Sequence, residues 1–194
     1  MLKRRIIPTL LLRNGRMVKG KQFKDFRDTG NPITATRVYN AQAADELVFL
    51  DIDASRANRG TLVNIIEQVS TEAFMPFSVG GGITSLQDVR DLTLAGADKV
   101  VITTAAVENP DLILEAADAF GRQCIIAGID VKFEDGKYVV YTHSGHIRTD
   151  IDLLKHVELM ETMGAGEIFI NSIDNDGMMQ GYDLKLIEIV MKLP

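Results

Sequence analysis

The sequence predicts an α/β protein whose strands form a parallel sheet. Three observations support this class: apolar runs of strand length recur along the chain, amphipathic helical segments follow them, and the two kinds of segment alternate. Alternation of this kind places successive strands side by side and packs the helices against the sheet. Six such βα units are expected, in a sheet that is either open or closed into a barrel.

Six strands are predicted from short runs rich in Val, Ile, Leu and Phe. They cover residues 5–12, 46–51, 76–79, 99–103, 124–131 and 167–172. Six helices are predicted from the spacing of apolar residues, over 33–43, 58–69, 85–95, 110–120, 151–163 and 183–191. An additional hairpin, KFEDGKYVVYT, follows the fifth strand and turns at Asp135-Gly136, which is a strong hairpin signal.

An internal repeat favours the barrel. IIPTLLLR at residues 6–13 matches IIAGIDVK at 125–132, and ELVFLDID at 46–53 matches EIFINSID at 167–174. Two halves of four units would make an eight-unit barrel, which needs about 250 residues. The 194 residues hold the first half and two units of the second. We therefore expect one (β/α)8-barrel domain over residues 1–194 that stops before units seven and eight.

Composition narrows the possible partners. The net charge is −6 and no basic patch is dense, so a nucleic-acid partner is not expected. No apolar run approaches the roughly 20 residues of a membrane span, so no membrane partner is expected. Cys124 is the one cysteine, which excludes an internal disulfide and suits a reducing, cytoplasmic location. His143 and His146 have no carboxylate at metal-ligand spacing, so neither a metal nor a cofactor is predicted.

Glycine-rich and hydroxyl-bearing loops follow the predicted strands. In SVGGGITS, Gly81 and Gly82 let backbone N–H groups approach an anion at the start of a helix, which indicates a phosphate site. Thr103 and Thr104 could add donors after the fourth strand. The turn containing Asp176 and Gly177 either binds a sugar hydroxyl or is a simple polar loop.

Carboxylates at the carboxyl ends of strands are the candidate acids and bases. Asp51, Asp130 and either Asp174 or Asp176 lie at such ends, and Lys19 lies in the first loop. A positioned carboxylate contributes roughly 10²–10⁴-fold in rate, although each could also simply cap a loop. The repeat aligns Asp130 with Leu11, so one half of the fold keeps an acid where the other has a leucine.

A second charged set lies where the strands begin. Arg5, Glu46, Lys99 and Glu167 start the first, second, fourth and sixth strands, and their charges balance. Buried charges are costly unless they are paired. The set is therefore either a structural plug or a gate over a passage through the barrel.

From Arg5 to Asp183 the sequence resembles the cyclase subunit of imidazole glycerol phosphate synthase, of the histidine pathway. The resemblance rests on the motifs RxxKG (16–20), DELVFLDI (45–52), VGGGI (79–83), GADKVxIxTAAVENP (96–110), SG (144–145), GAGEI (164–168) and SIDxDGxxxGYD (172–183). It implies a (β/α)8 barrel that cyclises a phosphorylated ribosyl-aminoimidazole precursor with ammonia. It also implies a glutaminase partner at the barrel bottom, from which ammonia travels through the barrel.

The resemblance assigns roles to matching positions. By position, the ammonia gate is Arg5, Glu46, Lys99 and Glu167, and Asp98 is a contact to the glutaminase. The phosphate-binding positions are Gly82 and Thr104 at one site and Asp176 and Gly177 at the other. The substrate or catalytic positions are Lys19, Asp51, Asp130 and Ser144.

The chain departs from the family pattern where chemistry is expected. Leu11 replaces the first of two catalytic aspartates, Thr103 replaces a phosphate-loop asparagine, and Asn171 replaces a threonine near the substrate. We therefore expect cyclisation to be severely impaired. The resemblance then points to related proteins of surface-polysaccharide gene clusters, which feed ammonia to a sugar amidotransferase. The alternatives are a working cyclase with a substitute acid and a sugar-phosphate isomerase of the related barrel.

Overall fold

A computed structural model describes residues 4–54 and 63–193. The described residues divide into two compact units, a first of residues 4–19, 27–54 and 63–101 and a second of residues 20–26 and 102–193. The described strands are β1 (Thr9–Arg13), β2 (Arg16–Lys21), β3 (Lys24–Gly30), β4 (Leu47–Asp51), β5 (Phe77–Gly80), β6 (Lys99–Ile102), β7 (Ile125–Glu134), β8 (Lys137–Thr142), β9 (Ile147–Asp152) and β10 (Glu167–Ser172). The described helices are α1 (Pro32–Ala41), α2 (Val63–Ser70), α3 (Leu86–Leu94), α4 (Thr104–Glu108), α5 (Asp111–Phe120), α6 (Leu153–Thr162) and α7 (Leu184–Val190).

The predicted α/β class is confirmed, and most predicted elements lie within three residues of observed ones. The first strand is an exception, because it begins at Thr9 and not at residue 5. Pro8 has no N–H for a strand ladder, and the Ile6 N–H donates to the Asp45 carboxylate at 2.9 Å. The predicted helix over 58–69 corresponds to α2, and its residues 58–62 lie outside the described residues.

Two strands near the amino terminus were missed by the sequence analysis. β1 turns into the antiparallel β2 at Asn14-Gly15, and both turn residues are left-handed, with φ of 49° and 77°. Asn-Gly is the usual sequence of a two-residue hairpin turn, so Asn14-Gly15 was the signal that could have revealed β2. Lys19 therefore lies on β2 and not in a loop. The polar, exposed sequence of β2 and β3 concealed their strand character.

In the first unit the sheet runs in the order β3-β2-β1-β4-β5-β6. β1, β4, β5 and β6 are parallel to one another, as the alternating pattern predicted. Phe49 and Phe77 pack edge to face at 6.1 Å between ring centroids in the buried part of this unit. Ser85 caps α3 and exchanges hydrogen bonds with Asp88 in a capping box.

In the second unit β7 pairs with the parallel β10 on one edge and the antiparallel β8 on the other. β9 extends the hairpin beyond β8, and it too was missed. Asp152 and Asp183 cap α6 and α7 through backbone N–H groups of the first helical turn. One buried hydrophobic cluster of this unit consists of Ile129, Val131, Val140, Leu153, Val157 and Leu186.

Within the described part of the chain, no helix has both the length and the apolar character needed to cross a membrane.

Candidate functional site

Three of the four predicted gate residues meet in the first unit around Glu46. Glu46 is only 2% exposed and accepts a hydrogen bond from Arg5 Nη1 at 2.7 Å. Lys99 Nζ lies 3.1 and 3.2 Å from its two carboxylate oxygens, and Ser78 Oγ donates at 3.0 Å. Burial of a carboxylate this deep is costly unless cations and hydrogen-bond donors surround it. We call Glu46, Arg5, Lys99 and Ser78 the Glu46 cluster.

Two other predicted residues lie where strands begin. Glu167 is the first residue of β10, in the second unit. Asp98 accepts a hydrogen bond from the Phe77 N–H at 2.9 Å, and its own N–H donates to the Phe77 carbonyl at 3.0 Å. Asp98 thus has a local role in starting β5, whatever it binds at the surface.

Strand register shows which side chains of the first unit share a face with Ser78 and Lys99 of the Glu46 cluster. Strand residues alternate between faces, and register aligns β1, β4, β5 and β6. Two residues after the level of Ser78 and Lys99, the same face carries an apolar layer at the carboxyl ends of the strands. This layer consists of Leu11, Leu50, Gly80 and Val101. A Cβ on Gly80 would lie 2.8 Å from both Leu50 Cδ2 and Val101 Cβ, so packing requires glycine there.

The glycine turn after β5 has a structural reason of its own. Gly81 and Gly82 are left-handed, with φ of 101° and 72°, which favours glycine. A Cβ on Gly81 would lie 2.1 Å from the carbonyl oxygen of Asp51. Asp51 is itself buried, and its carboxylate accepts from the Asp53 N–H at 3.2 Å. The phosphate site predicted here stays a prediction.

Asp130 and Asn171 form the polar end of the second sheet. They are register partners on β7 and β10, and Asn171 Nδ2 donates to Asp130 Oδ1 at 2.9 Å. Asp130 is 6% exposed. Burial raises the pKa of its carboxyl to about 6, helped by the charge of Asp176 and opposed by the Asn171 hydrogen bond. A carboxyl with this pKa exchanges protons readily near neutral pH.

The turn after β10 is fastened to the connection between β2 and β3. The Gln22 N–H donates to the Asp176 carbonyl at 2.8 Å, and the Gln22 side chain donates to the Asp174 carbonyl at 3.0 Å. Gly177 is left-handed, and a Cβ there would lie 2.1 Å from the Gly20 carbonyl oxygen. Asp176 and Gly177 are therefore held in place before any ligand binds.

Thr104 and Ser144 are brought together in the second unit. The His143 N–H donates to Thr104 Oγ1 at 3.0 Å, and Ser144 is the next residue. His143 and Ser144 both have left-handed backbones, which is uncommon for residues other than glycine. Thr103 immediately precedes α4, and its side chain makes no capping hydrogen bond.

A carboxylate outside the predicted set organises the loop that carries Asp176. Asp183 accepts hydrogen bonds from Tyr138 Oη at 2.8 Å, from Ser172 Oγ at 2.9 Å and from the Leu186 N–H at 3.1 Å. Burial and Asp183 raise the pKa of Tyr138 to about 12. The SIDxDGxxxGYD motif contained the signal, since it begins with Ser172 and ends with Asp183. Within residues 4–54 and 63–193, no three His, Cys, Asp or Glu side chains are grouped to hold a metal ion.

Comparison with known proteins agrees with this arrangement. The histidine biosynthesis protein family matches residues 5–193. A protein of Exiguobacterium sp. (strain ATCC BAA-1283 / AT1b) is 50% identical over 188 residues, covering 97% of this chain and 74% of the relative. A protein of Hydrogenobaculum sp. (strain Y04AAS1) is 48% identical over 193 residues, covering 99% of this chain and 77% of the relative. Both relatives are named imidazole glycerol phosphate synthase subunit HisF.

These matches confirm the predicted (β/α)8-barrel family of the fold. With a parallel α/β sheet, a family match across nearly the whole chain and relatives at about half identity, the chain belongs to the histidine biosynthesis protein family, within its HisF type.

Proposed function

We propose that this chain is a HisF-type synthase subunit that receives ammonia from a glutaminase subunit and passes it through its barrel. The glutaminase docks where the strands begin, with Asp98 as one contact. Arg5, Glu46, Lys99 and Glu167 form the gate that ammonia crosses. The observation that carries this proposal is the Glu46 cluster.

Buried charge at this position calls for a functional reason. A buried ion pair is weak evidence of stabilisation, because its desolvation cost offsets its Coulomb attraction. Apolar side chains of similar size would fill the site equally well, yet the chain places a carboxylate, two cations and a hydroxyl there. Arg5 is half exposed while Lys99 is largely buried, so in this proposal the Lys99 ammonium has to move aside for ammonia to pass.

The second sheet supports a route for a small polar molecule. On its shared face, Glu167, Phe169 and Asn171 of β10 lie beside Ile126, Gly128 and Asp130 of β7. Asn171 follows Glu167 by four residues along β10, a distance of about 13 Å. In this proposal ammonia enters beside the charge of Glu167 at the strand start. The Asp130–Asn171 pair receives it at the strand end.

The acceptor of the ammonia is proposed from Leu11. The layer around it holds no group that could donate or accept a proton. A cyclisation that needs two facing acids therefore lacks one of them. We propose that the ammonia serves amidination of a surface-polysaccharide sugar by a separate sugar amidotransferase.

A second candidate is the cyclase reaction that forms imidazole glycerol phosphate. Two observations favour it: the relatives named HisF are 48–50% identical, and the pKa of Asp130 is about 6, as a single acid–base group requires. In either case a phosphorylated ligand binds at the strand ends. We assign its binding to Lys19, Asp51, Gly81, Gly82, Thr103, Thr104, Ser144, Asp176 and Gly177, with Asp130 and Lys19 as the catalytic groups.

The two candidates are separated by supplying ammonium chloride and the histidine-pathway precursor to the purified protein. No glutaminase is needed, so loss of precursor reports only the chemistry of this chain. We expect no turnover, and Asp130→Asn serves as the blank. Turnover at an enzymatic rate that Asp130→Asn abolishes would establish the cyclase instead.

The gate is tested with Lys99→Met, which keeps the length of the side chain and removes its charge. We expect the rate of nitrogen transfer from glutamine to the acceptor to change, while the rate of transfer from added ammonium stays the same. A parallel loss of both would show a folding defect or a wrong assignment, and a thermal melt distinguishes these.

A further inference from the structure

The Asp130 carboxylate is poorly supplied with hydrogen-bond donors for its burial. Within the described residues it accepts one hydrogen bond, from Asn171 Nδ2 at 2.9 Å, although it is 6% exposed. An ionised carboxylate has about four acceptor sites. Most of this capacity is thus available to a ligand at the carboxyl end of β7.

Asn171 adds an acceptor of its own. An amide that donates through Nδ2 keeps Oδ1 as an acceptor, and this oxygen accepts no hydrogen bond within the described residues. Register places the two side chains on the same face, at the same level of neighbouring parallel strands. The pair therefore presents acceptor oxygens from both partners, an arrangement that attracts N–H donors and repels phosphates.

We propose that Asn171 is a positioning residue that fixes the Asp130 carboxylate as an acceptor and completes with it a small site for an N–H-bearing group. The ligand class is an ammonium ion, an amine or an amidine. The proposal deepens the proposed function, on which its biological setting rests, because ammonia delivery brings such a group to this end of the sheet.

Few other groups of the second unit act on Asp130. Asp176, in the turn after β10, disfavours its ionised form. Tyr141 is the register partner of Asp130 on β8, but its hydroxyl donates to Glu134 at 2.6 Å. The Asn171 hydrogen bond lowers the pKa of Asp130, and a substitution of Asn171 removes that effect.

The positioning role is tested by titrating the Asp130 carboxyl with carbon-13 NMR, its signal assigned by its loss in Asp130→Asn. The test compares Asn171→Val with Asn171→Thr. Val and Thr have nearly the same shape and both suit a strand, but only Thr keeps a hydrogen-bond donor. We expect Val to tighten proton binding at Asp130 about tenfold, the size of one charge-assisted hydrogen bond, and Thr to remain near the parent.

Two variants guard this titration against misfolding and non-specific effects. Asn109→Val makes the same change at an exposed position and should titrate as the parent does. Asn171→Ala is a second donorless variant in case Asn171→Val does not fold. Identical titration of Asp130 in the parent and in the donorless variants would overturn the positioning role.

The ligand class is tested by adding ammonium chloride or potassium chloride at equal concentration and neutral pH. The two cations carry the same charge, but only ammonium donates N–H. We expect ammonium alone to shift the Asp130 carboxyl signal, and Asn171→Val to weaken that response several-fold. An equal response to potassium, or no response to either ion, would overturn the N–H site.

Neither measurement requires the glutaminase or turnover. A failed result therefore leaves the ammonia gate untouched, and discovery of cyclase turnover leaves the Asn171 assignment intact.

Discussion

The carboxyl ends of the strands differ between the two units, although the sequence repeat relates them. In the first unit the strand ends meet in an apolar layer of Leu11, Leu50, Gly80 and Val101. In the second unit the corresponding level holds Asp130 and Asn171, joined by a 2.9 Å hydrogen bond. The difference teaches that strand ends related by a repeat can carry either apolar or proton-exchanging side chains at the same level.

The largest expected effect comes from Glu46→Ala, which attacks the polar beginning of the first unit. Removal of the carboxylate leaves Lys99 largely buried without its ion pair to Glu46. Loss of one partner of a buried pair costs roughly 3–5 kcal/mol. Chemical denaturation should report that loss. Glu72→Ala, in a surface pair with Arg37, is the matched control and should leave the unfolding midpoint nearly unchanged.

Asp130→Asn tests the polar end of the second unit and should stabilise the protein. The folded-state pKa of about 6 lies above the ordinary 3.8, so folding penalises the ionised form. The penalty is absent below pH 4, grows as the pH rises towards 6, and reaches roughly 3 kcal/mol above it. The stability gain of the variant should follow the same curve. A gain that is independent of pH would contradict the assignment, and exposed Asp118→Asn is the control.

Leu11→Asp tests whether the apolar layer tolerates an aspartate, the residue that the sequence repeat aligns with Leu11. Replacing the half-buried Leu11 beside Leu50 with a carboxylate should cost roughly 1–3 kcal/mol at neutral pH, within the usual range for one substitution. Leu11→Asn has the same shape without the charge and should cost less. If Leu11→Asp also gains turnover of the histidine-pathway precursor with ammonium, then the missing acid alone separates this chain from a cyclase.

The smallest effect is expected at His156, a buried imidazole of α6 in the second unit. Its Nε2 has no hydrogen-bond partner among the described residues, and burial lowers its pKa below 6.5. Folding therefore disfavours the protonated form, and stability from this residue is lost as the pH falls through 6.5. His156→Met should gain about 1 kcal/mol and flatten that decline. An unchanged pH profile in urea unfolding would count against this reading.

Sequence patterns predicted the architecture well where a segment carries its own signal. An apolar run predicted β10 at its observed bounds, and Ser85 predicted the start of α3. Both signals are local, because strand alternation and helix capping act over a few residues. The sequence did not predict β2 and β3, because an exposed polar ribbon has little hydrophobic pattern, although Asn14-Gly15 marked the turn from β1 into β2. The start of β1 was misplaced because Pro8 and the Ile6–Asp45 hydrogen bond make the strand begin later than hydrophobicity alone suggests.

The sequence by itself determined the class of fold, the order of its elements and the presence of charges at both ends of the strands. Only the tertiary structure decided which of them meet. Glu46 finds Ser78 and Lys99 at separations of 32 and 53 residues, and Asp130 finds Asn171 at 41. The physical reason is register: parallel strands align residues far apart in the chain, and a slip of one residue would turn each side chain to the opposite face.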